Sequence, residues 1–213
     1  MRPILVILAL ILSIAGCGAG GTTDPDQASP TSTGMTTTPA PTYRLLSKDE
    51  LTKALLDLRA LPAGYSPDPP TDEGPAKTFC DYPPPFQENI RVRQDFTKGA
   101  GLSAELLSVG LRQFGDADQA KASFEALTDA LTTCTGETYN GVENSYAPIS
   151  APEIGEGAIG LKITAGDTNL LQFFAVVGPV LINTGGGGLM NANADEVISL
   201  LKAQVEKYDA AST

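Results

Sequence analysis

The chain has 213 residues, 42% of them hydrophobic and 18% charged, which is the composition of a folded domain and not of a disordered one. Its formal net charge of −11 repels phosphate backbones and excludes nucleic acid as a partner. It contains no His, so neither a Ser-His-Asp nor a Cys-His site can form within the chain, and the commonest zinc ligand is missing.

Residues 1–16 read as a secretory signal peptide. Arg2 supplies a positive start, and an apolar run follows from Ile4 to Ala15. About a dozen residues are too few to span a bilayer of ~30 Å as a helix, and they suit the apolar region of a signal. The run ends in Ile14-Ala15-Gly16-Cys17, which looks like a lipobox. A lipobox needs Cys17 because its thiolate takes a diacylglyceryl group, and the acyl chains (palmitate among them) then anchor the protein to the cell membrane. The alternative is an ordinary signal peptide that ends near a Cys.

Residues 17–42 comprise Cys17 and a tether rich in Gly, Thr, Ser and Pro, with no periodic apolar face. A chain of this length reaches roughly 27 Å. Thr36 to Thr42 resembles the glycosylated tethers of actinobacterial lipoproteins; an unmodified spacer is the alternative. Residues 43–213 remain, enough for one domain with one core.

Within that domain, Ser47 and Glu50 form a capping box, and Leu51, Ala54, Leu55 and Leu58 fall on one helical face. The spacing predicts a helix from Ser47 to Leu58. Residues 62–89 are rich in Pro and read as a long loop. Once Cys17 is lipidated, Cys80 and Cys134 are left, and an even count in an exported chain reads as one disulfide that pins this loop. Two free thiols are the alternative.

Ile90, Val92, Gln94 and Phe96 alternate with charged residues, as Leu107, Val109 and Leu111 alternate with Ser108, Gly110 and Arg112. A turn around Lys98–Gly101 makes them a hairpin. Asp116 and Gln119 then cap a helix whose Ala117, Ala120, Phe124, Leu127 and Leu131 step by three and four up to Cys134. A strand is expected over Glu137–Ile149. Three further strands, 158–165, 168–177 and 180–184, are joined by Gly166-Asp167 and Gly178-Pro179, both two-residue hairpin loops. Gly185–Gly188 lacks the Lys-Ser/Thr ending of a phosphate-binding loop and reads as a flexible connection. A last helix begins near Asn193 and carries Val197, Leu200, Leu201, Val205 and Tyr208 on its apolar side, with a polar tail from Asp209.

The two turns set the register of the three strands. One face gathers Ile159, Leu161, Ile163, Leu170, Phe174, Val176 and Leu181, the expected core. The other gathers Leu171, Phe173, Ala175, Val177, Val180 and Ile182. Two readings of this second face stay open. In one, Leu171, Phe173, Val177, Val180 and Ile182 form the wall of an apolar binding groove, with Arg91 and Arg93 at its rim to meet an acidic head group. In the other, a helix covers the face and the arginines look into water. The expected fold class is α+β: a mostly antiparallel, twisted sheet with helices packed on it, in a single domain with one disulfide.

The order of these parts resembles the PknH-like extracellular domain family. The anchor, the Thr/Pro tether, the opening LLSKDELTKALL, the strand that runs into FGDADQAKASFEALTDALTTCTG and the closing VGPVLINTGGGG…ADEVISLLKAQVEKY carry the resemblance. Members are sensor domains of actinobacterial Ser/Thr kinases and related free-standing lipoproteins. The resemblance implies an α+β domain with a cleft and a ligand-sensing task. Members often carry two disulfides, and this chain allows one.

No catalytic signature emerges. Ser199 and Lys202 have S-x-x-K spacing but sit inside a predicted helix without companion motifs. Asp24, Asp26, Glu153 and Glu156 are scattered acids with no calcium-loop spacing, so no metal and no cofactor is expected. The leading expectation is a non-catalytic extracytoplasmic sensor or ligand-binding module of the cell envelope. Its partners would be the membrane, through the lipid, and a small or apolar ligand. The alternative is an interaction or scaffold lipoprotein whose partner is an envelope protein. A hydrolase would need carboxylates facing each other across a cleft, and the sequence shows no such pair.

Overall fold

The computed structural model describes residues 42–70, 77–189 and 192–213, all within one compact unit, Ala40–Thr213. The expected signal peptide, Cys17 and the expected tether up to residue 41 lie outside the described residues. Eight strands form one antiparallel sheet. They are β1 (Tyr65–Pro67), β2 (Ile90–Lys98), β3 (Glu105–Gln113), β4 (Gly136–Tyr139), β5 (Val142–Ile149), β6 (Gly157–Ala165), β7 (Thr168–Val177) and β8 (Val180–Gly188), in the spatial order β1-β2-β3-β8-β7-β6-β5-β4. Three helices among the described residues pack on the sheet: α1 (Lys48–Lys53), α2 (Ala117–Thr133) and α3 (Ala194–Ser212). The α+β class, the single domain and the Cys80–Cys134 disulfide therefore hold.

Local chemistry sets most of the elements. The capping box of α1 forms as read, with Ser47 Oγ accepting from Glu50 N and the Glu50 carboxylate accepting from Ser47 N. Asp116 caps α2 by accepting from Gln119 N at 2.8 Å. Gly166 and Gly178 take φ of +58° and +51°, as tight hairpin turns between twisted strands require. The register then pairs Ile159 with Phe174 and Val176 with Leu181, so the two faces read from the sequence are the real faces.

Four expectations need correction. The first helix ends at Lys53, not Leu58. Leu55 and Leu56 are both buried, and the buried Gln204 side chain accepts from Leu56 N at 2.9 Å and donates to Ala54 O at 2.8 Å, so tertiary partners replace the next helical turn. The expected loop 62–89 contains β1, which pairs with the end of β2. The expected strand 137–149 is two strands, β4 and β5, joined by Asn140-Gly141 with φ of +52° and +77°. That dipeptide is the strongest short hairpin signal, but it sits in a largely exposed edge hairpin without strict apolar–polar alternation.

The fourth correction matters most. Gly185–Gly188 is no flexible connection but the second half of β8, a central strand paired with β3 and β7 and wholly buried. Glycine is needed there because other groups occupy the space a side chain would take. A β-carbon on Gly186 would lie 2.7 Å from both Leu107 Cδ2 and Val197 Cγ2, and one on Gly188 would lie 2.4 Å from Ala104 O.

The sheet has a core on each face. On one, α1 and α3 bury Val92, Phe96, Leu107, Val109, Leu111, Phe173, Val177, Val180 and Ile182 together with Val197, Leu200, Leu201 and Tyr208. On the other, Ala120, Leu127 and Leu131 of α2 pack on Leu161, Phe174, Val176 and Leu181. Helix α3 also runs through Asp209 to Ser212, beyond its expected end. Gly186→Val, which would push α3 off β8, is expected to lower the unfolding free energy by about 1–3 kcal/mol. A reduced urea midpoint at unchanged m-value is the readout.

Candidate functional site

Helix α2 covers only part of its face. Seventeen residues give a helix of about 26 Å, whereas eight strands span roughly 34 Å from first to last. The uncovered part is set by register. One row across the sheet runs Asp95, Ser108, Gly185, Gln172, and the next runs Thr97, Leu106, Gly187, Leu170, Ile163. In each row β8 supplies a glycine, and at Gly185 the floor drops to backbone between flanking side chains. The result is a cleft of about 310 Å³. A volume near 300 Å³ is at the lower end for small-molecule sites.

The cleft is amphipathic. Leu106, Leu170 and Ile163 form an apolar side, while Ser108 and Gln172 bring a hydroxyl and an amide. Charge gathers on the β2 side. Arg93 Nε donates to Asp95 Oδ1 at 2.8 Å, and Asp68 Oδ2 accepts from Thr97 Oγ1 at 2.9 Å. Such a site can hold and orient a small molecule by shape and hydrogen bonding. Among the described residues, no group of three or more Asp, Glu, His or Cys is placed to hold a metal ion.

A larger depression, about 1020 Å³, opens beside the first turn of α3, and Lys98, Glu105, Tyr65 and Glu196 in it interact with one another. Lys98 Nζ lies 2.9 Å from Glu105 Oε2 and holds that carboxyl below its usual range. The Tyr65 hydroxyl lies 3.4 Å from both Glu105 and Glu196, and burial, then those two carboxylates, push its phenol up.

The sequence grouped Leu171, Phe173, Val177, Val180 and Ile182 with Arg91 and Arg93. The structure separates Phe173, Val177, Val180 and Ile182 from the arginines, while Leu171 and Arg93 both border the cleft. Leu171 is 6% exposed and the other four aliphatic and aromatic residues are fully buried under the helices of the α3 face, so of the two readings of that face the helix-covered one holds. Arg91 and Arg93 point to the α2 face, where Arg93 stands at the rim of the cleft. Sequence reasoning had put Leu170 and Ile163 in the core and missed Leu106, Ser108, Gln172 and Gly185. No local pattern marks them, because which part of the sheet α2 leaves uncovered is decided by tertiary packing.

The loop beside this face is latched at its far end. Cys80 is bonded to Cys134 at the C-terminus of α2. Closing a loop of that size stabilises by about 4 kcal/mol on chain-entropy grounds. Cys80 and Asp81 both take left-handed φ, +48° and +55°, an uncommon conformation for non-glycine residues that surrounding contacts must hold. Those contacts are aromatic and ionic. Phe79 meets Tyr146 edge-on at 5.1 Å. Glu137 accepts from Lys77 Nζ at 2.6 Å and from the Tyr146 hydroxyl at 2.7 Å. Burial pushes the Glu137 carboxyl up, but the Lys77 and Tyr146 hydrogen bonds outweigh it and hold the group below the usual range.

A lowered folded value means that the latch contributes stability above the ordinary glutamate pKa and loses it as pH falls through the folded one. Glu137→Gln is expected to be less stable than wild type at neutral pH, with the gap narrowing between about pH 5 and pH 3. Urea titrations of both proteins across that range are the check.

Among the described residues, no helix is long and apolar enough to cross a membrane. No family model matches the chain, and no curated protein matches it. Solved structures do match. The crystal structure of the extracellular domain of PknH from Mycobacterium tuberculosis aligns with a TM-score of 0.63 and 13% identity, covering 79% of this chain and 100% of that one. At that identity the likeness is one of fold, and the fold is similar to that of the PknH extracellular domain.

Proposed function

We propose that this chain is an extracytoplasmic, membrane-tethered sensor or ligand-binding module without a catalytic role, and that the glycine-floored cleft is its ligand site. The cleft itself carries the reading: a sheet face left open over Gly185, with an apolar side, a polar floor and a charged rim around one small volume. The likeness in fold to an extracellular domain supports the compartment. The lipobox at Cys17 supports the anchor, and the tether would leave the domain free above the membrane.

One observation favours the alternative, a scaffold with a protein partner. Leu102, Leu106 and Leu189 are large apolar side chains exposed at one end of the sheet, Leu102 by 76%. Exposed apolar groups that gather in one place mark interaction surfaces.

Full-length protein purified from membranes of its native host should start at an acylated Cys17 by intact mass and carry a bound small molecule by native mass spectrometry. Ser108→Trp, which fills the cleft, should lose that molecule while keeping a cooperative thermal unfolding transition. A wild-type protein that carries nothing, and whose melting temperature no envelope-extract fraction raises, would overturn the ligand reading and leave the scaffold reading.

A further inference from the structure

The α2 face holds a second pocket, set apart from the cleft. In the pairing of β2 with β3, Arg91 stands directly opposite Arg112. Like charges placed opposite one another on a strand pair disfavour that pairing unless other groups compensate them. Both arginines line a pocket of about 360 Å³ whose outer wall is the loop carrying Tyr82 and Phe86 and whose back is Phe114. Glu88 approaches Arg91 at 3.7 Å. A guanidinium has five N–H donors, so an arginine engaged with a neighbouring carboxylate still bridges to a second anion.

A separate observation points the same way. Ser123 of α2 lines this pocket, is only 3% exposed, and its hydroxyl has no hydrogen-bond partner. A buried hydroxyl left in that state costs about 1–3 kcal/mol, and native folds seldom keep one without use. Two guanidiniums, the Ser123 hydroxyl and one carboxylate, that of Glu88, line a space walled by aromatic rings.

We infer that this pocket binds an organic oxyanion, a carboxylate or a phosphate monoester, that carries an apolar body. The oxyanion sits between Arg91 and Arg112 and accepts from Ser123, and the body packs on Tyr82, Phe86 and Phe114. Arg112 and Ser123 are positioned by elements on opposite sides of the pocket, β3 and α2, so the site is built by the tertiary fold and not by one segment.

Isothermal titration of the full chain with hexyl phosphate, hexanoate, hexanol and inorganic phosphate tests this. At least one of the two organic anions should bind saturably, and hexanol and inorganic phosphate should each bind about tenfold more weakly or not at all. Arg112→Gln should weaken the binding about tenfold or more, and Arg91→Gln is the second variant should the first melt early. Ser108→Trp, which blocks the cleft, should leave it unchanged, so failure here is separable from failure of the cleft reading. Absence of saturable binding by both organic anions, or binding that both arginine substitutions leave intact in folded protein, would overturn the inference. Inorganic phosphate that binds as tightly as hexyl phosphate would overturn it too, because the aromatic wall would then have no role.

Discussion

The missing side chains of β8 govern both faces of the sheet. Where β8 meets α3, Gly186 lets the helix approach until Val197 and Leu107 close over the strand. That approach lets α3 bury Leu200, Leu201 and Tyr208. On the opposite face Gly185 leaves bare backbone in the floor of the cleft. A glycine inside a strand costs roughly 0.5–1 kcal/mol relative to alanine. Complete burial between β3 and β7 offsets that cost, since every neighbour of the run is an ordered strand or helix.

Two buried amides hold the N-terminal segment in place. Gln113 accepts from Leu46 N and donates to Leu46 O, both at 2.8 Å, as a strand neighbour would. Gln204 does the same for the peptide groups at the end of α1. The segment before α1 is fastened to the end of α3. Tyr43 stacks on Tyr208 with ring centres 6.1 Å apart, and Arg44 N donates to Ser212 O at 3.0 Å. Tyr43 also lies against Gly178, where a β-carbon would come within 2.3 Å of its ring. Gly178 and Gly185 are separated by roughly 23 Å of extended strand. Tyr43 and the cleft therefore lie at different ends of β8.

The cleft and the arginine pocket differ in character because of where α2 and the disulfide-bound loop fall. Rows of the sheet near Leu181 and Val176 are roofed by α2 and the loop, which turns a flat surface into an aromatic-walled pocket around Arg91 and Arg112. Rows near Gln172 and Leu170 have no such roof, so the cleft there is shallower and mixed in polarity. The same loop is tied by Cys80–Cys134 and by the Lys77–Glu137–Tyr146 network, so the pocket's outer wall depends on groups that make no contact with the space it encloses.

Features decided within a few residues were readable from the sequence alone. Caps at Ser47 and Asp116, turns at Gly166 and Gly178, and the alternation that sorts the residues of β6, β7 and β8 onto two faces all depend on local hydrogen bonding and allowed backbone angles. The pairing of Cys80 with Cys134 spans 54 residues and is not local, but with Cys17 set aside only one pairing of the three cysteines is left. The sequence could not say which face each helix would cover, because that depends on contacts between segments far apart in the chain. Leu171, Phe173 and Ile182 look like a binding wall until α3 lies on them, and Gly185–Gly188 looks like a loose connection until β3 and β7 pair on either side. A glycine has no side chain to announce burial. Its role is defined by the groups that occupy the space it leaves, and only the folded chain brings those groups together.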